Sequence, residues 1–528
     1  MSIPRVVVQS SLLCLAFVGS ARGQLVLHSD FSPSTIVPHP GSREGAAVAF
    51  DGAQAVIGGP EHSLVGAAQA GGVFVYLEAL GWNQGASLSA FDAGAGDGFG
   101  SAVSLSGDTI AVGAPFEDPS ASDAGSVYVF TGSGASWTLQ AKLSAADGTA
   151  NARFGTDLQI DGDTLVVGAP GQVHAGVASG AAYVYHRSAG AWSQQAKLVA
   201  SNPSDADAFG GAVDLDGDTV LIGASGYVRG HLGAAFVFTR SGTSWTEQAR
   251  LSQAGIQPGE AYGLTVALDG ETALVGAPWP TQPAGGPGSV YVYERSANTW
   301  NLRAHLVGSD PALAGQFGLA LDVDGGIAVI GAPEIPVDGD FGRGYMFERI
   351  GATWFETAYL VLAPFSYINF GFAKSVDVYQ GKAIFGTPDL DGYAFAGYTL
   401  CNVAKPFGSG CAGSGGFAPV MTIESCLTPS QTVAVSVKKG LGGSPVLYLF
   451  GGTAGRVPVG GGCALHVQPL AAALSAGVLL GTGPGHGSGT TLAGVPPAGI
   501  IGGFALQAAV LDPAAPLGFT LTNGVLVP

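Results

Sequence analysis

The sequence predicts an all-β fold: a seven-bladed β-propeller of four-stranded blades, followed by a small disulfide-containing β-sandwich. Three observations predict it. A module of about fifty-five residues occurs seven times along the 528-residue chain, and a period of that size marks one supersecondary unit that buries its apolar faces only against its neighbours. Within each copy, four short apolar runs alternate with Gly-, Asp- and Ser-rich turns, as a four-stranded antiparallel sheet requires. The composition agrees: 86 glycines, 11% charged residues and a mean hydropathy of +0.35 describe many buried strands joined by tight turns.

Five of the seven copies open on an aromatic-Gly pair, the first on Glu-Gly and the last on Phe-Ala, and each reaches a Gly-Ala-Pro-like triplet fourteen residues later. The openings are Glu44-Gly45, Phe99-Gly100, Phe154-Gly155, Phe209-Gly210, Tyr262-Gly263, Phe317-Gly318 and Phe372-Ala373. The triplets begin at Gly58, Gly113, Gly168, Gly223, Gly276, Gly331 and Gly386. In the second copy, Ala102–Leu105 and Thr109–Val112 flank Ser106-Gly107-Asp108; Gly and Asp tolerate the positive φ of a tight hairpin, so this reads as strand, turn, strand. Ser126–Phe130 and its counterparts are apolar on both faces, which suits a strand sandwiched between sheets. A Trp-led run then alternates polar and apolar residues, as in Trp137-Thr-Leu-Gln-Ala-Lys-Leu143, and reads as the outer strand. Trp82, Trp192, Trp245, Trp300 and Trp354 mark the same place in other copies. The seventh copy has no such run after Tyr398, whereas Gln24–Asp30 reads as an outer strand without a blade; the expectation is that it joins the last blade and closes the ring.

Aromatic-Gly, Gly-Ala-Pro and Gly-x-x-Tyr-Val-Phe in this order resemble the FG-GAP repeat, in the short bacterial form of the integrin-α-like seven-bladed propeller. The resemblance spans residues 24–400. It implies calcium-binding loops of the kind some such blades carry, but here the first two strands are joined by only two or three residues. Asp214-Leu-Asp216-Gly-Asp218 therefore reads as a strand end and a turn, since calcium wants six or more oxygens. No cofactor or metal site is expected. The nearest approach to a cation site is the carboxylates after the Gly-Ala-Pro triplets: Glu117, Asp118 and Asp123, Asp338 and Asp340, and Asp389 and Asp391. A solvated acidic rim accounts for them equally well.

Arg5, the apolar run to Val18 and Ala21-Arg-Gly23 resemble a secretory leader over residues 1–23, cleaved before Gln24. Export makes the compartment extracellular, cell-surface or periplasmic. The net charge of −18 repels nucleic acid and anionic lipid. Past the leader, Gly, Pro or polar residues interrupt every apolar run before it could span a membrane.

Residues 401–528 form a separate unit. Trp is absent, and Cys401, Cys411, Cys426 and Cys463 appear there. In an exported chain four cysteines read as two disulfides with three possible pairings. Strands are expected at Thr432–Val437, Val446–Phe450, Ala464–Val467 and Phe504–Leu511, with Pro469–Leu480 open to a short helix. Gly408–Cys411 and Leu506–Pro513 resemble a C-terminal module of secreted planctomycete proteins.

No Gly-x-Ser-x-Gly elbow, His-Glu-x-x-His or Walker-type loop occurs. His62, His174 and His231 follow three different triplets at different offsets, which argues against a shared metal. The function expected is a non-enzymatic, exported binding or adhesion protein whose variable loops hold a protein or glycan. The alternatives are a secreted carbohydrate-active lyase or hydrolase, which needs a central pocket with a perturbed carboxylate or His, and a structural component of the cell surface.

Overall fold

The computed structural model describes residues 41–388 apart from 81–82, 203–206, 227–229, 280–287, 310–314, 334–341 and 362–370, and beyond them the backbone of strands between 395 and 527. The expected leader, the outer strand Gln24–Asp30 and the carboxylates Asp338, Asp340, Asp389 and Asp391 lie outside the described residues.

The propeller is built of antiparallel sheets in which sequence neighbours pair in order. Blade 3 is representative: Leu158–Asp161, Thr164–Ala169, Ala181–Ser188 and Ala191–Leu198. Its second strand is buried at every position and its third at the first five, because another sheet covers each face. Its fourth strand is half exposed, as the polar alternation predicts. Blades 1, 2, 4, 5 and 6 repeat the plan over Ala47–Leu88, Ala102–Leu143, Ala212–Leu251, Val266–Leu306 and Ala320–Val361.

Among the described residues six four-stranded blades form, not the seven expected. The seventh copy makes a three-stranded sheet of Ser375–Tyr379, Lys382–Gly386 and Phe395–Tyr398, because no Trp-led run follows Tyr398 to supply a fourth strand. This sheet sits between blades 6 and 1. Its first strand packs against the first strands of both, Val378 N–H donates to Asp322 Oδ2 of blade 6 at 2.7 Å, and Phe50 N–H of blade 1 donates to Asp377 Oδ2 at 2.7 Å.

The repeated motif has a steric cause. Within a copy the two glycines pair, as Gly155 N–H donates to the Gly168 carbonyl at 2.9 Å. Between copies they press together: a Cβ on Gly113 would lie 2.1 Å from the carbonyl oxygen of Gly155 in the next blade. Gly155 in turn has φ +89°, which disfavours any side chain. The aromatic before it fills the space between sheets. Phe99, Phe154, Phe209, Phe317 and Phe372 are among the most buried side chains. Phe154 meets Tyr183 edge-on at 5.5 Å, and Phe99 meets Tyr128 at 5.4 Å.

The Trp-x-x-Gln-Ala-Lys-Leu run ties outer strands together. Trp192, Trp245 and Trp300 donate through Nε1 to Gln140, Gln195 and Gln248 of the preceding blade at 2.7, 2.7 and 2.9 Å. Lys142 and Lys197 reach Asp92 and Asp147, in the link that follows the preceding outer strand, at 2.7 and 2.6 Å. The final Leu is buried in blades 1 to 5. At the opposite end of the blades, Arg240 donates to Asp218 of its own turn and to Thr164 of the preceding blade, with its guanidinium over Trp245. Arg187 and Arg295 repeat this clamp.

Where blade 5 should offer a Gln to Trp354, the chain has Arg303, which cannot accept a hydrogen bond. The buried Trp354 Nε1 finds no acceptor among the described residues. A buried donor left unsatisfied costs about 1–3 kcal/mol, whereas the half-exposed Arg303–Glu294 pair at 3.5 Å is worth about 0–1 kcal/mol. Arg303→Gln is therefore expected to stabilise the protein by about 1 kcal/mol, and Gln248→Arg to destabilise it similarly. Urea midpoints of the two variants check this pair.

Beyond the propeller, strands between Lys405 and Val527 form a six-stranded and a three-stranded antiparallel sheet. The expected strands appear within Val433–Gly440, Pro445–Gly460, Cys463–Val478 and Phe504–Leu511. The Ala/Leu-rich run open to a helix is strand through Val478, since it pairs back along Pro445–Gly460. Cys401, Cys411 and Cys426 lie outside the described residues, and Cys463 opens the strand Cys463–Val478. Among the described residues no helix is long and apolar enough to cross a membrane.

Candidate binding face

Antiparallel order places two kinds of loop at one end of every blade: the loop after the second strand, and the link from the fourth strand to the next blade. The tight hairpins lie at the other end. The loop face is one connected surface. Gly96 N–H in the blade 1–2 link donates to Ala68 O, and Phe116 N–H in blade 2 to Asp97 O, at 3.0 and 3.3 Å. Asn151 and Arg153 N–H, in the next link, donate to Ser122 and Asp123 O at 2.8 and 3.0 Å. Gln172 of blade 3 then reaches back to Asp147 O at 2.9 Å. Loops bonded to one another in this way keep their shape before any ligand arrives.

Large apolar side chains stand out of this surface. Val65, Phe116, Val173 and Leu232 come from the loops of blades 1 to 4 in turn, and Phe91 from the blade 1–2 link, 71% exposed. Sequence reasoning singled out the carboxylates and histidines of these loops and passed over the apolar residues. Their signal was present: isolated Phe, Val and Leu in loops otherwise made of Gly, Ala, Ser and Asp.

The expected rim carboxylates are placed as follows. Glu117 accepts from Lys142 Nζ at 2.9 Å and from Ser126 Oγ at 2.6 Å. Asp118 Oδ1 accepts from Asp123 N–H at 2.7 Å. Asp92 accepts from Tyr128 and Lys142, both at 2.7 Å; burial works against its charge, but these two partners hold its carboxyl below the ordinary value. Asp97 is pushed up, first by burial and then by the charges of Glu117, Asp118 and Asp92, against one N–H from Gly94 at 2.6 Å. The three histidines do not converge. His62 packs edge-on to Phe74 of its own blade, His174 pairs backbone with Val177, and His231 Nδ1 lies 2.9 Å from Asp207. Among the described residues no group of three His, Cys, Asp or Glu side chains is placed to hold a metal ion.

At the axis lies a second set, of which sequence reasoning had singled out only Asp214, as a strand residue. Asp214 Oδ1 accepts from Leu215 N–H at 2.7 Å and Oδ2 from Leu268 N–H of the next blade at 2.6 Å. Asp157 does the same for Leu158 and Val213 at 3.0 and 2.8 Å, and Asp322 for Val323 and Val378 at 2.8 and 2.7 Å. Burial raises all four carboxyls, counting Asp377: Asp157 to about 6 and Asp214 to about 8, with the charge of Asp322 adding to the latter. The charge of Asp322 adds to the rise of Asp377 after burial. These carboxylates fasten first strand to first strand around the axis.

Residues 82–130, 137–185, 192–238 and 245–293 match the FG-GAP repeat. Each matched unit runs from the outer strand of one blade through the third strand of the next, so every repeat spans a seam. The chain thus carries four tandem FG-GAP repeats within an all-β propeller. No curated protein matches it.

Proposed function

We propose that this FG-GAP propeller is the core of an exported, non-enzymatic binding or adhesion protein that holds a protein or glycan ligand on its loop face. The observation that carries this reading is the run of exposed apolar side chains, Val65, Phe91, Phe116, Val173 and Leu232, on loops bonded into one surface. Exposed apolar groups gathered on one face mark interaction sites. The strands beneath repeat one regular pairing order, while the loops above differ from copy to copy, which is how a rigid scaffold carries recognition. The perturbed axial carboxylates, which a catalytic reading would recruit, are spent on backbone N–H groups of adjoining blades. Export rests on the leader-like residues 1–23. In the same reading Gln24–Asp30 is the fourth strand of the last blade, since each matched repeat begins with an outer strand, and the C-terminal sheets form a sandwich stapled by the four cysteines.

The test replaces loop segments 63–69, 118–122 and 173–178 with Gly-Ser linkers in the full chain. Saturable adhesion to the native cell surface and to protein and glycan arrays is expected to disappear while the melting temperature stays within a few degrees. Adhesion that survives refutes the loop assignment, and turnover of an arrayed glycan refutes the non-enzymatic reading.

A further inference from the structure

Around Phe116 the loop face combines an exposed ring with charge that the protein does not balance. Asp92 and Glu117 share the single ammonium of Lys142. Asp97, Asp118 and Asp123 stand beside them with no cation paired to them among the described residues. A further cation, Arg153, lies over the Phe116 ring itself, 5.5 Å from its centre. Five carboxylates thus face two cations. The uncompensated field is felt within the cluster, where the charges of Glu117, Asp118 and Asp92 help to raise Asp97. The cluster is also built rather than loose: Asp118 is tied to Asp123 N–H, Asp97 to Gly94 N–H, and Phe116 N–H to the Asp97 carbonyl.

This chemistry selects among partners. Nucleic acids and acidic glycans are repelled. A neutral glycan leaves the charge unanswered and would set hydroxyls against Val65 and Val173, which offer them no hydrogen bond. A basic polypeptide answers both features, since its ammonium or guanidinium groups meet the carboxylates, and an apolar side chain covers Phe91 and Phe116. We infer that the loop face over blades 1 to 3 docks a cationic polypeptide segment bearing a large apolar side chain, with Phe116 as its seat and Asp97, Asp118 and Asp123 as its charge partners; this rests on the binding reading above. Steering by the field gives fast, salt-sensitive association.

The probes are two fluorescein-labelled peptides, one with lysines flanking a central Phe-Leu pair and one with glutamates in their place, together with a neutral glycan panel, all against the full chain. Anisotropy is expected to show the lysine peptide binding at least about tenfold more tightly than the glutamate peptide. That binding should weaken about tenfold between about 50 and about 500 mM NaCl. Phe116→Ala, and separately Asp118→Asn with Asp123→Asn, should each weaken it about tenfold. Asp108→Asn, a single neutralisation at the hairpin end of blade 2, should leave it unchanged, and melting curves verify that every variant folds. Equal binding of both peptides, or lysine-peptide binding indifferent to Phe116→Ala, overturns the inference. A glycan that binds through the loops while the lysine peptide does not also overturns it, yet leaves the loop face as a binding surface. Loss of every loop-dependent interaction overturns both readings.

Discussion

Gly168→Ala is expected to cost about 3 kcal/mol or more of stability, at the upper end of what overpacking a core does. Nothing in the local conformation forbids alanine, because Gly168 lies within a regular second strand, one residue from its end. The obstacle is the neighbouring blade. A Cβ there would sit 2.0 Å from the carbonyl oxygen of Gly210 and 3.0 Å from its carbon, and backbone cannot swing aside as a side chain could. Relief requires the two blades to part, which opens gaps along a close-packed seam and forfeits its dispersion contacts. The seam is also bonded, since Val213 N–H of blade 4 donates to Asp157 of blade 3 at 2.8 Å. Gly162→Ala is the control. It changes an exposed turn with open space around it and φ +54°, and should cost only about 1 kcal/mol. The same contact closes the ring, for a Cβ on Gly386 would lie 2.1 Å from the Gly45 carbonyl oxygen. In a ring, Gly386→Ala should therefore harm as much as Gly168→Ala. Thermal melts of the three variants decide the matter; a Gly168→Ala protein that melts with the wild type would show that the seams do not hold the fold.

That contact also explains how much of the architecture could be read from residues alone. A glycine recurring at one place in seven copies reports a constraint repeated seven times, and the period, strand order and hairpin turns follow from it. The outer strands were as plain, because Trp and the closing Leu recur from blade to blade, and Gln and Lys meet the same kind of partner where they stand. Two things were hidden. A carboxylate such as Asp214 looks the same in sequence whether it serves calcium, a turn or the backbone of the next blade; only the placement of Leu268 N–H 2.6 Å away decides. The loop face was half seen. Its carboxylates drew attention because charge is conspicuous in a chain with so little of it, whereas Phe91 and Phe116 were passed over. Which side of the last buried shell a loop residue occupies is a matter of a few ångströms, and periodicity carries no information there. The count of complete blades depended on a strand that the seventh copy does not itself encode.

Lowering the pH from about 9 to about 5 is expected to raise the melting temperature, the reverse of what a chain rich in surface carboxylates suggests. The cause lies at the axis. Asp157 and Asp214 titrate near 6 and 8 in the folded protein, and Asp322 and Asp377 are also raised, in each case chiefly by burial. In the unfolded chain all four return to about 3.9. A folded value above the unfolded one means that the folded state holds the proton more tightly. The stabilisation from these groups is therefore complete below about pH 4 and is lost as the pH climbs through the folded values, between about 5 and 9. Carboxylates of the opposite kind set the acid limit. Asp92 and Asp147 are held down by Lys142 and Lys197 despite burial, and Glu271 by Arg295, so their contribution fades as the pH falls below about 4. Greatest stability should thus lie between about pH 4 and pH 6. Asp214→Asn separates the axis from the surface. The amide cannot ionise, and it gives up one of two backbone acceptors, so the variant should melt lower than the wild type at pH 5 and approach it toward pH 9. A melting temperature that is flat or rises from pH 5 to pH 9 in the wild type, or an Asp214→Asn slope as steep as the wild type's, would remove the axial carboxylates from the account of how the blades are held together.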